Sequence, residues 1–180
     1  IGNGGFDQTT GGINPGESAL SLSVNNNQPV INSFFTPYNA ESLNQADLDF
    51  GAMGPLLIPH SSYYFTGAKD GSLFLIDKDN MGGYSSGGNR MHQELNLGNE
   101  GANEHCQAAY FENSGGSFVT LWAENDPLRT YQFSNNLLTL KQRSAVPDGP
   151  IGQNGGMISV SSNGLKNGII WVTHALPPND

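Results

Sequence analysis

The sequence has little charge, a single cysteine and no long apolar run. Charged residues make up 13% of the 180 residues, well below the usual share of about 25%, which argues against a coiled coil or a helical bundle. With Cys106 alone, the chain can form no intrachain disulfide, no multi-cysteine zinc site and no Cys-x-x-Cys redox pair. No apolar stretch approaches the roughly 18–20 residues that span a bilayer, so the sequence predicts no membrane span.

The charge that is present is mostly negative. Sixteen acidic residues against seven basic ones give a net charge of −9, which repels phosphate backbones and disfavours nucleic acid as a partner. The chain starts at Ile1, and no basic region followed by an apolar one comes after it. We therefore expect a processed chain or a segment of a longer product.

Turn-forming residues divide the chain into short β-type runs. The 24 glycines and 10 prolines exceed the ordinary combined share of about 12%, but stay below the roughly 25–30% of unstructured segments. Runs of β-branched, aromatic and aliphatic residues, bounded by Gly, Asn, Asp or Pro, indicate strands. These runs are Ser33–Thr36, Pro55–Ile58, Tyr63–Thr66, Leu73–Ile76, Ala108–Phe111, Phe118–Trp122, Leu128–Phe133, Leu137–Gln142, Met157–Val160 and Ile169–Thr173. The length and the runs together predict a single all-β domain over residues 1–180.

Local signals add one short helix and several hairpin turns. Helical periodicity is almost absent, and one or two helical turns are predicted over residues 39–46, with Asn39 as the cap. Asp70-Gly71, Asn163-Gly164 and Asn167-Gly168 predict turns between strands, because Asn, Asp and Gly tolerate the positive φ that tight hairpin turns require.

A degenerate repeat runs through the chain. An offset of 55 residues superposes residues 65–77 on residues 119–131, with Ala68 on Ala123. An offset of 49 residues then superposes Trp122 on Trp171. A period of roughly 50 residues with three or four strands per unit is the signature of a β-propeller.

The repeat predicts a partial β-propeller built of four-stranded antiparallel blades. Its units cover approximately residues 30–100, residues 101–150 and an incomplete third unit over residues 151–180. The alternative is a β-sandwich in which generic hairpins resemble one another by chance.

Five segments, taken in order, carry a family resemblance. They are residues 34–39 (FFTPYN), 47–51 (DLDFG), 67–73 (GAKDGSL), 122–126 (WAEND) and 155–161 (GGMISVS). In order and spacing they resemble a pyrroloquinoline-quinone-like β-propeller of the quinoprotein alcohol dehydrogenase-like superfamily, over roughly residues 33–174. The resemblance implies a ring of about seven or eight four-stranded blades, exported to the periplasm or beyond.

The resemblance also sets expectations about partners and cofactors. Since this chain supplies only about three units, we expect the remaining blades or other chains to complete the propeller, because an open arc exposes a blade face and strand edges. Quinone and calcium are expected only if missing blades supply their ligands. The adjacent-cysteine disulfide and the repeated tryptophan docking motif of many family members are not found in this sequence.

Two acidic segments are candidate cation-binding sites. Asp47 and Asp49 are two positions apart and share a face if extended, so they can bind a cation together or accept hydrogen bonds from turn amides. Residues 77–80 begin like a calcium loop, but Met81 stands where an oxygen donor is required. A solvated turn is the expectation for this second segment.

Residues 83–87 match Gly-x-Ser-x-Gly, the turn that exposes a nucleophilic serine between a strand and a helix. No clear strand precedes the match, and Gly87-Gly88 opposes an immediate helix. His174 is the histidine that best follows the required order after the serine. A flexible loop is the competing expectation, and the one the sequence favours.

The remaining chemical side chains have structural explanations. His60, His92, His105 and His174 show no metal-ligand spacing, and Cys106 is expected to be a small buried side chain. Trp122 and Trp171 are expected to pack blade against blade, with stacking over a ligand as the alternative.

The sequence therefore assigns no catalytic residue, no cofactor-binding residue and no metal ligand. We expect an extracytoplasmic β-propeller fragment, periplasmic or extracellular, that acts as a non-catalytic binding or assembly module. The alternative is part of a quinone-dependent dehydrogenase that oxidises alcohols or sugars. Self-assembly through open strand edges is a further possibility.

Overall fold

The computed structural model describes residues 4–7, 14–98, 103–145 and 155–173. Over these residues it contains strands and one short helix, so the predicted all-β class is confirmed. The strands form two four-stranded antiparallel sheets and two two-stranded hairpins.

The elements follow in chain order. They are β1 (Ala19–Asn25), β2 (Gln28–Phe35), α1 (Ala40–Gln45), β3 (Leu56–Leu57), β4 (Tyr63–Gly67), β5 (Ser72–Asp77), β6 (Gln93–Asn96), β7 (Ala109–Asn113), β8 (Gly116–Leu121), β9 (Arg129–Ser134), β10 (Leu137–Arg143), β11 (Met157–Asn163) and β12 (Lys166–Thr173).

Each sheet is built from strands that are consecutive in the chain. β3 to β6 form one antiparallel meander, and β7 to β10 form the second. Short connections favour this order, because antiparallel neighbours can be joined by a tight turn. Between β4 and β5, Gly71 has φ +82° and the Ser72 amide donates to the Asp70 carboxylate at 2.9 Å. The turn predicted at Asp70-Gly71 is confirmed.

The sheet β3–β6 is apolar on both faces. On β5, Leu73 and Leu75 belong to one core cluster, whereas Phe74 and Ile76 belong to another. All four side chains are buried. Successive side chains of a strand point to opposite faces of the sheet, so a continuous apolar run such as this one requires a cover on each side.

With these covers in place, the described sheets and hairpins stack as four layers, one after another. The first core cluster lies between β3–β6 and β7–β10, and the second lies between β3–β6 and the elements β2 and α1. On the far side of β7–β10, the hairpin β11–β12 contacts β7. There the Gly156 amide donates to the Trp122 carbonyl at 2.9 Å. A Cβ at Gly156 would lie 2.6 Å from Cε3 of Trp122, so only glycine fits this approach.

The hairpins β1–β2 and β9–β10 are built alike. Both turn through two asparagines with positive φ: Asn26-Asn27 (+50° and +60°) and Asn135-Asn136 (+52° and +61°), the conformation of a type I′ turn. Both also contain a bulge at the same place, since Asn32 and Lys141 are left out of the pairing. Each bulged residue lies about five positions after the second asparagine of its turn, a matched spacing of the kind that bulges keep. The first hairpin therefore corresponds to the last two strands of a four-stranded unit.

Most sequence predictions of secondary structure agree with these elements. All ten predicted runs overlap a strand, and the short helix is present, although Asn39 makes no side-chain capping bond. The turn at Asn163-Gly164 is confirmed, with Gly164 at φ +58°. The turn at Asn167-Gly168 is wrong, because both residues lie inside β12. Their place beside a register shift accounts for the turn-like composition.

Two strands, β1 and β6, were not predicted. The first predicted unit, residues 30–100, also combines β2 with a sheet to which it does not pair, since β2 pairs with β1. Four-stranded antiparallel sheets are confirmed, whereas their arrangement as blades of a propeller stays a prediction.

Trp122 and Trp171 provide a matched test of this layering. Trp122 is 4% exposed beneath β11–β12, whereas Trp171 on β12 is 56% exposed. We expect Trp122→Ala to lower the free energy of unfolding by roughly 3–5 kcal/mol. Trp171→Ala should change it by less than about 1 kcal/mol at low protein concentration. Urea unfolding of both variants measures the difference, and equal losses would contradict the layer order.

Candidate functional site

A groove of about 470 Å³ lies beside β1, at the first layer. One wall is formed by residues 18–22, and the other includes Leu57, Tyr64 and Thr66 on β3 and β4. The Tyr64 hydroxyl is buried without a hydrogen-bond partner among the described residues, and burial raises the pKa of this phenol. The edge of β1 beside the groove is not paired to any described strand.

The last layer presents a second open surface. On β11 and β12, the side chains of Ile158, Val160, Ile170 and Val172 are partly buried on the side of β7–β10. Their neighbours in sequence alternate with them and face outward. Trp171 is among these outward residues, and its indole Nε1 donates to Ser161 Oγ at 2.8 Å.

Exposed apolar side chains concentrate on these two end layers. The described residues include twelve large apolar side chains that are exposed. Four lie on β1–β2 and four lie in the hairpin β11–β12. They are Leu22, Val24, Val30, Ile31, Met157, Leu165, Ile169 and Trp171. Exposed apolar side chains grouped on two end layers in this way are typical of an interaction site.

Sequence reasoning missed the part of this surface that lies on β1. The strand alternates apolar residues with serine, as Leu20, Leu22 and Val24 with Ser21 and Ser23, which is the pattern of a strand covered on one face. In the structure Leu22 and Val24 are exposed instead. The alternation was therefore the signal that could have located both the strand and its uncovered face.

The candidate cation site at Asp47 and Asp49 is occupied by a lysine. Lys69 Nζ lies 2.6 Å from Asp49 Oδ2 and 3.4 Å from Asp47 Oδ1. Burial by itself raises the pKa of Asp49, but the hydrogen bond and charge of Lys69 outweigh it and leave the pKa lowered. The alternative in which turn amides satisfy both carboxylates is corrected, because the ammonium group of Lys69 is their shared partner.

A second buried acid lies near the seam between the two complete sheets. Glu104 is fully buried, and its Oε1 accepts hydrogen bonds from the Cys106 amide at 3.1 Å and the Cys106 thiol at 2.9 Å. Its Oε2 has no hydrogen-bond partner among the described residues. Burial raises the pKa of Glu104 from 4.5 to about 7, so this carboxyl keeps its proton well above the usual range. The predicted burial of Cys106 is confirmed.

The repeat explains why the two acids differ. At the offset of 55 residues, Asp49 corresponds to Glu104 and Lys69 corresponds to Glu124. The second unit therefore lacks the cation that ionises the first acid. Glu124 instead lies 3.5 Å from His105. Without a nearby ammonium group, desolvation dominates at Glu104.

A buried ion pair ties the two complete sheets together. Arg129 on β9 donates from Nε to Asp126 Oδ2 and from Nη2 to Asp126 Oδ1. The same guanidinium donates to the Leu97 carbonyl at 2.6 Å, beyond the end of β6. Asp126 also accepts the Trp122 indole at its backbone carbonyl, at 2.8 Å. These bonds satisfy a desolvated arginine and fix the position of Trp122.

Two motifs noted in the sequence lie in ordinary loops. After β5, the Asp79 amide donates to Asp77 Oδ1 at 3.0 Å, and Lys78 pairs with the Asp79 carboxylate at 2.8 Å. Met81 is buried in the core, so the segment is the expected turn and not a calcium loop. In residues 83–87, the Gly83 amide donates to the Phe34 carbonyl at 2.9 Å and the Gly83 carbonyl accepts from the Thr36 amide at 3.1 Å. No helix follows the serine, which excludes a nucleophile elbow.

The structure does not bring the histidines together. His60 lies in the exposed connection before β4, His92 bonds to the Asn136 carbonyl at 2.7 Å, and His105 pairs with Glu124. His174 lies outside the described residues. In the part of the chain that the structure describes, no group of three or more His, Cys, Asp or Glu side chains is placed to hold a metal ion.

Trp122 and Trp171 were expected to pack between blades. Trp122 is buried between two layers, while the description of those layers as blades stays a prediction. Trp171 is exposed on the last layer, where no described residue covers it.

Comparisons with known proteins assign no family. No family model, no curated protein and no solved structure matches this chain. Within the described ranges, no helix combines the length and apolarity that crossing a membrane requires.

Glu104 gives the folded chain a specific dependence on pH. Its carboxyl binds a proton more tightly in the folded state than in the unfolded state. Its contribution to stability is therefore present at low pH and is lost as the pH rises from about 4.5 to about 7. By linkage at about 1.4 kcal/mol per unit, the loss is on the order of 3 kcal/mol. In Glu104→Gln this loss should vanish, as measured by urea unfolding at a series of pH values.

Glu41, an exposed acid on α1, supplies the control for this experiment. The stability curve of Glu41→Gln should run parallel to that of the unaltered chain. Burial lowers the pKa of His105, and this histidine is present in all three proteins, so the difference between curves isolates Glu104. Parallel curves for all three proteins would show that folding does not raise the pKa of Glu104.

Proposed function

We propose that this chain is a non-catalytic, extracytoplasmic assembly module of the β-propeller type that joins further sheets at its two end layers. The observation that carries the proposal is the apolar groove beside the unpaired edge of β1. An unpaired edge next to an apolar groove offers backbone hydrogen bonds and apolar burial to the same incoming strand.

The opposite end of the molecule supports the same role. The hairpin β11–β12 has the two strands that begin a unit, with an outward face that includes Met157, Ile169 and Trp171. Apolar burial at about 25 cal/mol per Å² favours covering such a face. The extracytoplasmic location follows from the family resemblance and is part of the proposal.

The two complete sheets supply the template for joining. Each of their faces that meets another layer is buried, as Leu75 and Phe74 are on the two sides of β5. Repeat arrays of this kind bury each unit only against its neighbours. End layers that join further sheets would bury their apolar faces in the same way.

Trp171 is the natural reporter of joining. In the single chain it is 56% exposed, whereas Trp122 is buried. We expect the tryptophan emission to move to shorter wavelengths as the protein concentration rises, because joining removes Trp171 from water. In Trp171→Phe, the emission should not depend on concentration.

Fluorescence quenching by acrylamide gives the decisive measurement. Joining should protect Trp171 at high concentration and leave it accessible at low concentration. A Trp171 that stays equally accessible at every concentration, in a chain that is folded throughout, would contradict the proposal that the end layers associate.

A further inference from the structure

We propose that two copies of this chain close into one assembly of six sheets. In each of its two joints, β11–β12 of one copy and β1–β2 of the other complete a four-stranded sheet. This inference rests on the proposed function and names the partner as a second copy. Over the described ranges, each copy brings two complete sheets and two half sheets. Two copies therefore make about six sheets, within the range of four to eight in which such rings close.

The two half sheets are complementary halves of one unit. β1–β2 shares its asparagine turn and its bulge position with β9–β10, the last two strands of a complete sheet. β11–β12 follows a complete sheet, as β7–β8 does, and repeats that hairpin after 49 to 51 residues. Placing β12 beside β1 gives the order β11-β12-β1-β2, which reproduces β7-β8-β9-β10.

The free edges of β12 and β1 fit this pairing. In the complete sheet, β8 pairs with β9 in antiparallel register, with Val119 opposite Tyr131. Among the described strands, β12 pairs only with β11, and β1 pairs only with β2. Edge pairing between copies would satisfy the backbone groups that both strands leave open.

The groove is the place that the incoming hairpin would fill. Within the chain, the first two strands of one sheet rest on the first two strands of the next, as Trp122 after β8 rests beneath β11–β12. Trp171 faces outward from β12 in the same sense. By the same rule, the outward face of β11–β12 would rest on β3 and β4, where Leu57 and Tyr64 line the groove.

The exposed side chains of β1 occupy positions that a preceding sheet covers in the complete unit. By turn position, Leu22 corresponds to Tyr131 and Val24 corresponds to Phe133. Tyr131 is 2% exposed because β3–β6 covers it, whereas Leu22 is 56% exposed. In the closed pair, the sheet β7–β10 of the second copy would provide that cover.

A two-fold axis makes both joints identical, so each half sheet that the structure describes gains a partner. Head-to-tail joints that close in this way form rings, whereas joints that do not close form open chains. The proposal therefore predicts a fixed stoichiometry of two, independent of protein concentration once the joints are formed.

Light scattering after size exclusion measures the stoichiometry. We expect a mass of about 38 kDa, twice the 19.2 kDa of the chain. Trp171→Glu, which places a charge in the joint, should halve the measured mass. Tyr38→Glu is the matched control, because Tyr38 is 50% exposed on neither end hairpin, and its mass should stay that of the pair.

Engineered disulfides test the edge pairing directly. Counted from the turns and the bulge, Ile170 takes the place of Val119 and lies opposite Leu22 of the second copy. A chain carrying Leu22→Cys and Ile170→Cys should form covalent pairs on oxidation. With Leu22→Cys and Trp171→Cys the two thiols lie on opposite faces of the sheet and should not join.

Each outcome of these experiments either supports or overturns the closed pair. A pair of about 38 kDa that cross-links only through the first cysteine combination supports the proposal. A folded single chain at every concentration, or a pair that survives Trp171→Glu, overturns it. Larger species that grow with concentration and protect Trp171 from acrylamide would overturn the closed pair but leave the proposed assembly function standing.

Discussion

The whole arrangement depends on one constraint: a sheet that is apolar on both faces must be covered on both sides. β5 contributes buried side chains to two separate cores, so β3–β6 cannot be an outer layer. The layers that cover its two sides are sheets as well, so each of them also needs a cover on its own outer face. Among the residues that the structure describes, this requirement is unsatisfied at β1–β2 and at β11–β12, where apolar side chains meet solvent. The function proposed for the chain follows from where this requirement is left open.

The two complete sheets have diverged in how they treat a buried acid. In the first unit, Lys69 compensates the charge of Asp49. In the second unit, the equivalent of that lysine is an acid, and Glu104 holds its proton because no cation is close. Replacing a charge pair by a neutral carboxyl avoids the cost of burying an ion. At equivalent positions of the repeat, one buried acid is therefore ionised beside a lysine and the other is neutral.

Local patterns predicted the strands, but not what covers them. Short runs such as Leu73–Ile76 carry a signal in the sequence itself, because β-branched and apolar residues between turn formers specify a strand. Which face of a hairpin is covered depends on contacts far along the chain. A sequence offset of 49 residues superposes Trp122 on Trp171, yet Trp122 follows β8 and is buried, whereas Trp171 lies inside β12 and is exposed. The groove beside β1 was likewise not predictable, since residues 18–22 meet residues from the range 50–81 to form it.

Cys106, the single thiol of the chain, lies in the core cluster between the two complete sheets. Burial and the neighbouring Glu104 raise its pKa far above that of a free thiol, so a thiol reagent finds almost no thiolate in the closed structure. Modification must then wait until β3–β6 and β7–β10 separate locally. The rate of labelling would report the free energy of that opening at the boundary between the two sheets. Labelling of Cys106 therefore measures how stably these two sheets pack against each other.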